Sequence, residues 1–163
     1  MISRLSLLLA ASLVLSACAG GNGPFSNAGG GLDGGASPLD PTSPAYFQET
    51  VGDRVLFAVD ESTISFQAQQ VLDGQATFLT NNAGFTALIE GHADEQGTRE
   101  YNLALGARRA AAVQEYLINR GVAANRLRTI SYGKERPIEI CSTESCYAQN
   151  RRGVTVLQAA GGV

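Results

Sequence analysis

Glycine occupies positions 20, 21, 23, 29, 30, 31, 34 and 35, and the rest of 19–44 is mostly Asn, Ser, Asp and Pro. A segment of this composition cannot bury enough apolar surface to offset the entropy of ordering it. This predicts a flexible tether over 18–45 and confines the fold to 46–163. That remainder is one domain's length and enough for a single core. A tether of this length has an r.m.s. span of roughly 25–30 Å, enough to let a domain work at a distance from an anchor.

What precedes the tether suggests the anchor. Residues 1–17 read MISRLSLLLAASLVLSA: an arginine, an apolar run rich in Leu and Ala, then small residues. This is the pattern of a secretory signal, too short to span a bilayer with these flanks. Leu15-Ser16-Ala17-Cys18 resembles the bacterial lipobox, in which Cys18 would be acylated and become the new N-terminus. The plain alternative is an ordinary signal peptide with a chance cysteine. Ala19 follows the cysteine instead of Asp, so the resemblance implies the outer membrane. A single acyl chain anchors only marginally. The lipoproteins this segment resembles carry three and need no transmembrane helix.

The formal net charge of −3 argues against a nucleic-acid binder, which would show a basic stripe. Cys141 and Cys146 form a short pair in a chain that looks exported, where a disulfide is the default. The rival readings, a redox pair or half a metal site, lack a C-x-x-C motif and a nearby histidine.

From about Tyr46 the pattern becomes regular. Arg54 to Val59 is a short apolar run and predicts a strand. Ser65 predicts a helix N-cap, with Ala68, Val71, Leu72, Ala76 and Leu79 recurring at helical spacing and Gly84 closing the stop that follows. Phe85 to Glu90 predicts a second strand. Thr98 caps a long helix that stops at Gly121, with Leu103, Gly106, Ala110, Val113 and Leu117 along one face. Leu127 to Tyr132 is a third strand, Ser142 to Asn150 a short helix, and Arg152 to Leu157 a fourth strand. The order β-α-β-α-β-(α)-β predicts an α+β domain: one mixed four-stranded sheet with helices packed on one side.

Glu90-Gly91-His92-Ala93-Asp94-Glu95-Gln96-Gly97-Thr98 joins the second strand to the long helix and holds the chain's single histidine. Three chemistries compete for it. A histidine beside an aspartate suggests a general base. No nucleophile motif or H-E-x-x-H pattern accompanies it, so His92 predicts a structural ring bonded to backbone. Glu90, His92 and Asp94 alternate along an extended chain and could share a face for a metal, but no second cluster completes a shell. The third chemistry is capture of a zwitterion. A helix N-terminus favours an anionic group, Asp94 could hold an ammonium, and Arg109 leans back along the helix toward the loop. Asn102 and Arg109 lie seven residues apart and share that face. A guanidinium there could hold a carboxylate. An internal Asp94–Arg109 ion pair with no ligand stays open on spacing alone.

Further motifs continue the loop: Glu100-Tyr101-Asn102-Leu103-Ala104-Leu105-Gly106, Arg108-Arg109-Ala110, Ser131-Tyr132-Gly133-Lys134-Glu135-Arg136-Pro137 and Asn150-Arg151-Arg152. Over about residues 52–158 the chain resembles the OmpA-like C-terminal domain family, and above all its lipid-anchored members of the Tol-Pal system. The resemblance implies non-covalent binding of peptidoglycan through the diaminopimelate of uncrosslinked stem peptides, with no catalysis, cofactor or metal. It implies an outer-membrane location with the domain facing the periplasm, TolB as a protein partner, and a part in envelope integrity and cell division. The family's acid falls on Asp94 and its arginine on Arg109, fifteen residues later. Phe57 and Asp60 stand in the loop after the first strand, which lines the family's site; Asn102 and Arg152 are further candidates. Arg99 replaces a proline common at the helix start, and the Cys141/Cys146 pair is not general in the family. The competing readings are an OmpA-like envelope lipoprotein outside the Tol-Pal system, and a wall-remodelling enzyme using Asp94, Glu95 and His92 as acid and base.

Overall fold

The computed structural model describes residues 40–161. The expected signal segment, the acylation site Cys18 and the tether as far as residue 39 lie outside the described residues. Ser43 opens α1 (Pro44–Tyr46): its hydroxyl accepts the Tyr46 N–H, and Pro44 sits in the first turn, where its missing N–H costs nothing. A π-helical turn, Phe47–Gly52, follows and packs the Phe47 ring 5.0 Å from that of Phe78. Ser43 and Phe47 are both buried, so packing begins inside the segment whose composition suggested a tether. A short aromatic-anchored turn is enough to hold it.

The strand β1 (Arg54–Leu56) is shorter than its apolar run, and α2 (Phe66–Asn81) starts at Ser65, whose hydroxyl accepts the Ala68 N–H at 3.2 Å. Asn82, ahead of Gly84, closes α2, its backbone and side-chain N–H groups both donating to the Phe78 carbonyl. Arg126 adds donors to the carbonyls of Leu79, Asn82 and Phe85. A cation here meets unpaired acceptors and the negative end of the helix dipole. Then come β2 (Phe85–His92), α3 (Arg99–Asn119), a 3₁₀ turn (Ala124–Arg126), β3 (Leu127–Gly133), α4 (Glu144–Asn150) and β4 (Arg152–Ala159). Gly121, at φ +97°, ends α3 as its sequence position predicted.

The sheet order is β1-β4-β2-β3: β4 runs antiparallel to both β1 and β2, and β2 runs parallel to β3. The last strand therefore inserts between the first two. Alternate residues of the strands, such as Ala87 and Ile89 of β2, meet Leu72 and Leu79 of α2 and Val113 and Leu117 of α3 in one core. This is the mixed sheet with helices on one side that the pattern predicts. The buried face of α3 departs from the expected one. Leu103 is 50% exposed, and the stripe runs through Asn102, Leu105, Gly106, Arg109, Ala110, Val113 and Leu117. Two buried polar residues, Asn102 and Arg109, pull the stripe off its apolar centre.

α3 crosses β2 backbone to backbone. A Cβ on Gly91 would stand 1.8 Å from the Gly106 carbonyl oxygen. Gly91→Ala must push the helix off the sheet, at about 1–3 kcal/mol for overpacking. A urea midpoint unchanged from the parent would disprove this contact. Among the described residues no helix is long and apolar enough to cross a membrane.

Candidate functional site

β2 ends by slipping register at Gly91/His92, and Ala93 N–H then donates to the Gly133 carbonyl. The slip turns Asp94 inward at the mouth of the loop, where it is 7% exposed. Its Oδ1 accepts the Gln96 N–H at 3.2 Å, an Asx turn, and its Oδ2 accepts from Arg151 Nη1 at 3.1 Å. The remainder of the loop is tied at several points. Asn102 Nδ2 donates to the Gln96 carbonyl at 2.7 Å, and Lys134 Nζ donates to those of Glu95 and Gly97. Gly97 takes φ +90°, which admits the turn into α3. Thr98 then caps the helix, its hydroxyl accepting the Tyr101 N–H.

Across from the loop lies Arg109, with no exposed surface. Its Nε donates to the Glu61 carbonyl at 2.8 Å, Nη1 to that of His92 at 2.8 Å and Nη2 to that of Ala58 at 3.0 Å. One N–H on each of Nη1 and Nη2 has no acceptor among the described residues. The Phe57 ring supports the guanidinium, 5.2 Å from its centroid. Burial pulls the Arg109 pKa down to about 10, against the pull of the Asp94 charge, so it is a cation at neutral pH.

Asp60, Asp94, Asn102 and Arg109 line one cavity of about 240 Å³, together with Gln96 and Tyr101. The Tyr101 hydroxyl donates to Asp60, and Asp60 itself holds φ +60°, a left-handed conformation that Asp tolerates better than most residues. Larger grooves among the described residues, of about 420, 480 and 410 Å³, are lined by no buried charge. Four of the six expected ligand residues thus converge. Phe57 does not line the cavity and instead backs Arg109 from the core. Arg152 stands apart, donating to the carbonyls of Asn150 and Arg136.

The Asp94–Arg109 ion pair that spacing left open does not form. Arg151, absent from the sequence candidates, is the partner of Asp94. Its Nη2 is bonded to Glu144 and its Nε donates to the Phe57 carbonyl. Burial works against the Arg151 charge, but the bonds to Glu144 and Asp94 outweigh it and raise its pKa. The signal was present in Asn150-Arg151-Arg152, where Arg151 ends α4 and Arg152 opens β4, so that the two adjacent side chains meet different partners. Which of them meets Asp94 depends on the register of β4.

His92 lies outside the cavity. Its ring is 2% exposed and stacks 5.6 Å from that of Tyr132, over which the Arg136 guanidinium sits at 3.6 Å. The expected backbone bonds to the ring are absent: Nε2 lies 3.4 Å from Glu90 Oε2, and neither ring nitrogen makes a hydrogen bond among the described residues. Strand alternation puts both ring and carboxylate on the sheet face away from the helices, where backbone groups are already paired in the ladder. Burial, then the charges of Arg152 and Arg136, push the His92 pKa down to about 4, so the ring is neutral at physiological pH. Asp94 does not join Glu90 and His92 on that face, and no group of three His, Cys, Asp or Glu side chains could hold a metal among the described residues.

Cys141 and Cys146 are joined in a disulfide, as expected for an oxidising compartment. The segment it closes touches the site loop. Ser142 Oγ and the Tyr147 hydroxyl both donate to Glu95 Oε1, at 3.3 and 2.9 Å.

The mixed sheet in the order β1-β4-β2-β3 with helices packed on one side is the OmpA-like fold expected from the sequence. Residues 56–151 match the model of the OmpA family, and the chain belongs to that family. It is 53% identical over 156 residues to the peptidoglycan-associated lipoprotein of Rhizobium meliloti, covering 95% of this chain and 88% of the relative. Identity to the protein of the same name from Haemophilus influenzae is 41% over 150 residues, 91% of this chain and 94% of the relative. The crystal structure of the peptidoglycan-associated lipoprotein from Burkholderia pseudomallei superposes with a TM-score of 0.66 at 38% identity, over 74% of this chain and 98% of that one. The C-terminal domain of Helicobacter pylori MotB shares the fold, with a TM-score of 0.62 at 22% identity, over 67% of this chain and 86% of that one.

Proposed function

We propose that this chain binds peptidoglycan non-covalently through the diaminopimelate of uncrosslinked stem peptides and so ties the outer membrane to the cell wall. One observation carries the reading. A buried acid, Asp94, and a buried cation, Arg109, line the same cavity without bonding each other. Diaminopimelate ends in an ammonium and a carboxylate on one carbon, which needs such a pair. Asp94 accepts the ammonium. Arg109 supplies the positive floor and two N–H groups for the carboxylate. Because Arg109 has no exposed surface, direct pairing requires the bonded Asp60–Tyr101 wall to yield. Asn102 shapes the loop through the Gln96 carbonyl, and Phe57 stiffens Arg109 from behind.

The names of the relatives support the same reading, since each is called a peptidoglycan-associated lipoprotein. On this proposal Cys18 carries the lipid, residues after it span the distance to the wall, and the domain faces the periplasm. TolB is the protein partner and the Tol-Pal system the setting, serving envelope integrity and cell division. The task is holding, with no bond made or broken: a buried, neutral His92 has no path to a substrate in the cavity.

Asp94→Asn keeps the side chain's size and removes the charge; with its oxygen on the Gln96 N–H its amide N–H groups face Arg151 Nη1, donor against donor, so thermal unfolding is measured beside binding. The variant should weaken binding of a diaminopimelate stem peptide roughly tenfold, the loss of one charge-assisted bond. Calorimetric titration of the full chain in detergent checks this, with the lysine peptide as control. Lysine lacks the second carboxylate. Equal binding of the two peptides, or binding of neither, would overturn the reading.

A further inference from the structure

We propose that the ring closed by the Cys141–Cys146 disulfide is a positioning device for the ligand site: it holds Glu144 on Arg151 and so keeps Asp94 Oδ1, which accepts only the Gln96 N–H, free of the guanidinium and able to accept from the ligand as well. The inference rests on the zwitterion reading of the cavity. Arg151 is shared between two carboxylates. Nη1 meets Asp94 Oδ2 at 3.1 Å, and Nη2 is taken by Glu144. A guanidinium free of Glu144 tends to grip a carboxylate with both nitrogens. On Asp94 that grip would occupy Oδ1 as well as Oδ2 and compete with an incoming ammonium. With Glu144 in place, Arg151 reaches Asp94 through a single nitrogen.

Glu144 alone is a poor restraint. Its side chain is 67% exposed, and exposed ion pairs are weak and mobile. It also begins α4, a helix of seven residues, too short to persist by itself. The disulfide changes this, because Ser142 and Glu144 both lie inside the ring of residues 141–146. The ring orders the first turn of α4, where the Cys146 and Tyr147 N–H groups donate to the Thr143 carbonyl. From that turn Glu144 meets Arg151, and Ser142 and Tyr147 meet Glu95, the neighbour of Asp94. One covalent ring thus braces both consecutive acids of the loop.

The test is affinity of the full chain in detergent for a diaminopimelate stem peptide, with thermal unfolding measured beside it. Cys141→Ala/Cys146→Ala and Glu144→Gln should each weaken binding about three- to tenfold, and combining them should add little because both break the same link. A double-cysteine variant that unfolds at lower temperature yet binds like the parent would overturn the proposal, leaving the ring a stabiliser only. Losses that add fully in the combined variant would overturn it too, since the ring would then act independently of Glu144. If the parent itself does not bind, the ligand reading fails and this inference falls with it.

Discussion

Arg109→Ala should cost the fold about 3–5 kcal/mol, because three inward carbonyls lose a donor together and a large buried side chain leaves a void. Those carbonyls belong to Ala58, Glu61 and His92, so the variant releases both the β1–α2 connection and the end of β2. Arg109→Lys should recover only a small part of the loss. A single ammonium preserves the charge but cannot present the planar fork that reaches three diverging acceptors. Urea unfolding of parent and both variants reads this directly. Midpoints within error of the parent would show that the guanidinium is not a structural clamp. The consequence for function is practical. Lost wall binding in Arg109→Ala would mix unfolding with a missing ligand contact, and Asp94→Asn also breaks the buried pair with Arg151, so binding of each variant is read beside its own unfolding midpoint.

The second large effect is expected with acid. His92 has a folded pKa of about 4, below its unfolded value of about 6.5. As pH falls, the unfolded chain therefore takes up the proton first. The stability held with a neutral ring is complete above the unfolded value and is lost between pH 6.5 and 4, to a total of about 3 kcal/mol. The groups facing the ring are Glu90 on its own strand, Tyr132 and Arg136 from β3 and the loop after it, and Arg152 from β4. Two of them are cations that repel a charged ring. Glu90, at 3.4 Å, does not offset them together with burial. His92→Gln should flatten the limb between pH 6.5 and 4.5 relative to the parent, with carboxylate titrations common to both. Parallel stability–pH curves for parent and variant would refute the assignment to His92.

The sequence carried much of the site's composition but not its wiring. Asp94 and Arg109 were legible because a loop entering a capped helix and an arginine on that helix's inner face are local facts. Their failure to pair was not legible, because Arg151 enters from the junction of α4 and β4, 57 positions after Asp94. Arg152, a sequence candidate, stands away from the cavity while its neighbour Arg151 meets Asp94, and which of two adjacent arginines faces the loop depends on how β4 is registered in the sheet, where one residue exchanges the two faces. The face of α3 was misjudged at Leu103 for a related reason. An apolar stripe is drawn through apolar residues, yet this helix spends two core positions on Asn102 and Arg109 to build the cavity. His92 was placed near a strand end, where it lies, but the backbone bonds expected of its ring are absent, and its surroundings of tyrosine and arginine come from β3, the loop after it and β4.

What this sequence determined by itself is local. The caps at Ser65 and Thr98, the stop at Gly121, the alternation of strands and helices and the cysteine pair six positions end to end all rest on propensities and spacings within a few residues. Tertiary structure alone decided that β4 inserts between β1 and β2. It alone set the register that turns Arg151 toward Asp94, and it alone gathered around Arg109 three carbonyls from separate segments. The physical reason is range. These outcomes are fixed by which distant backbones pair and how closely they pack, as where Gly91 meets Gly106, and no window of neighbouring residues contains that information.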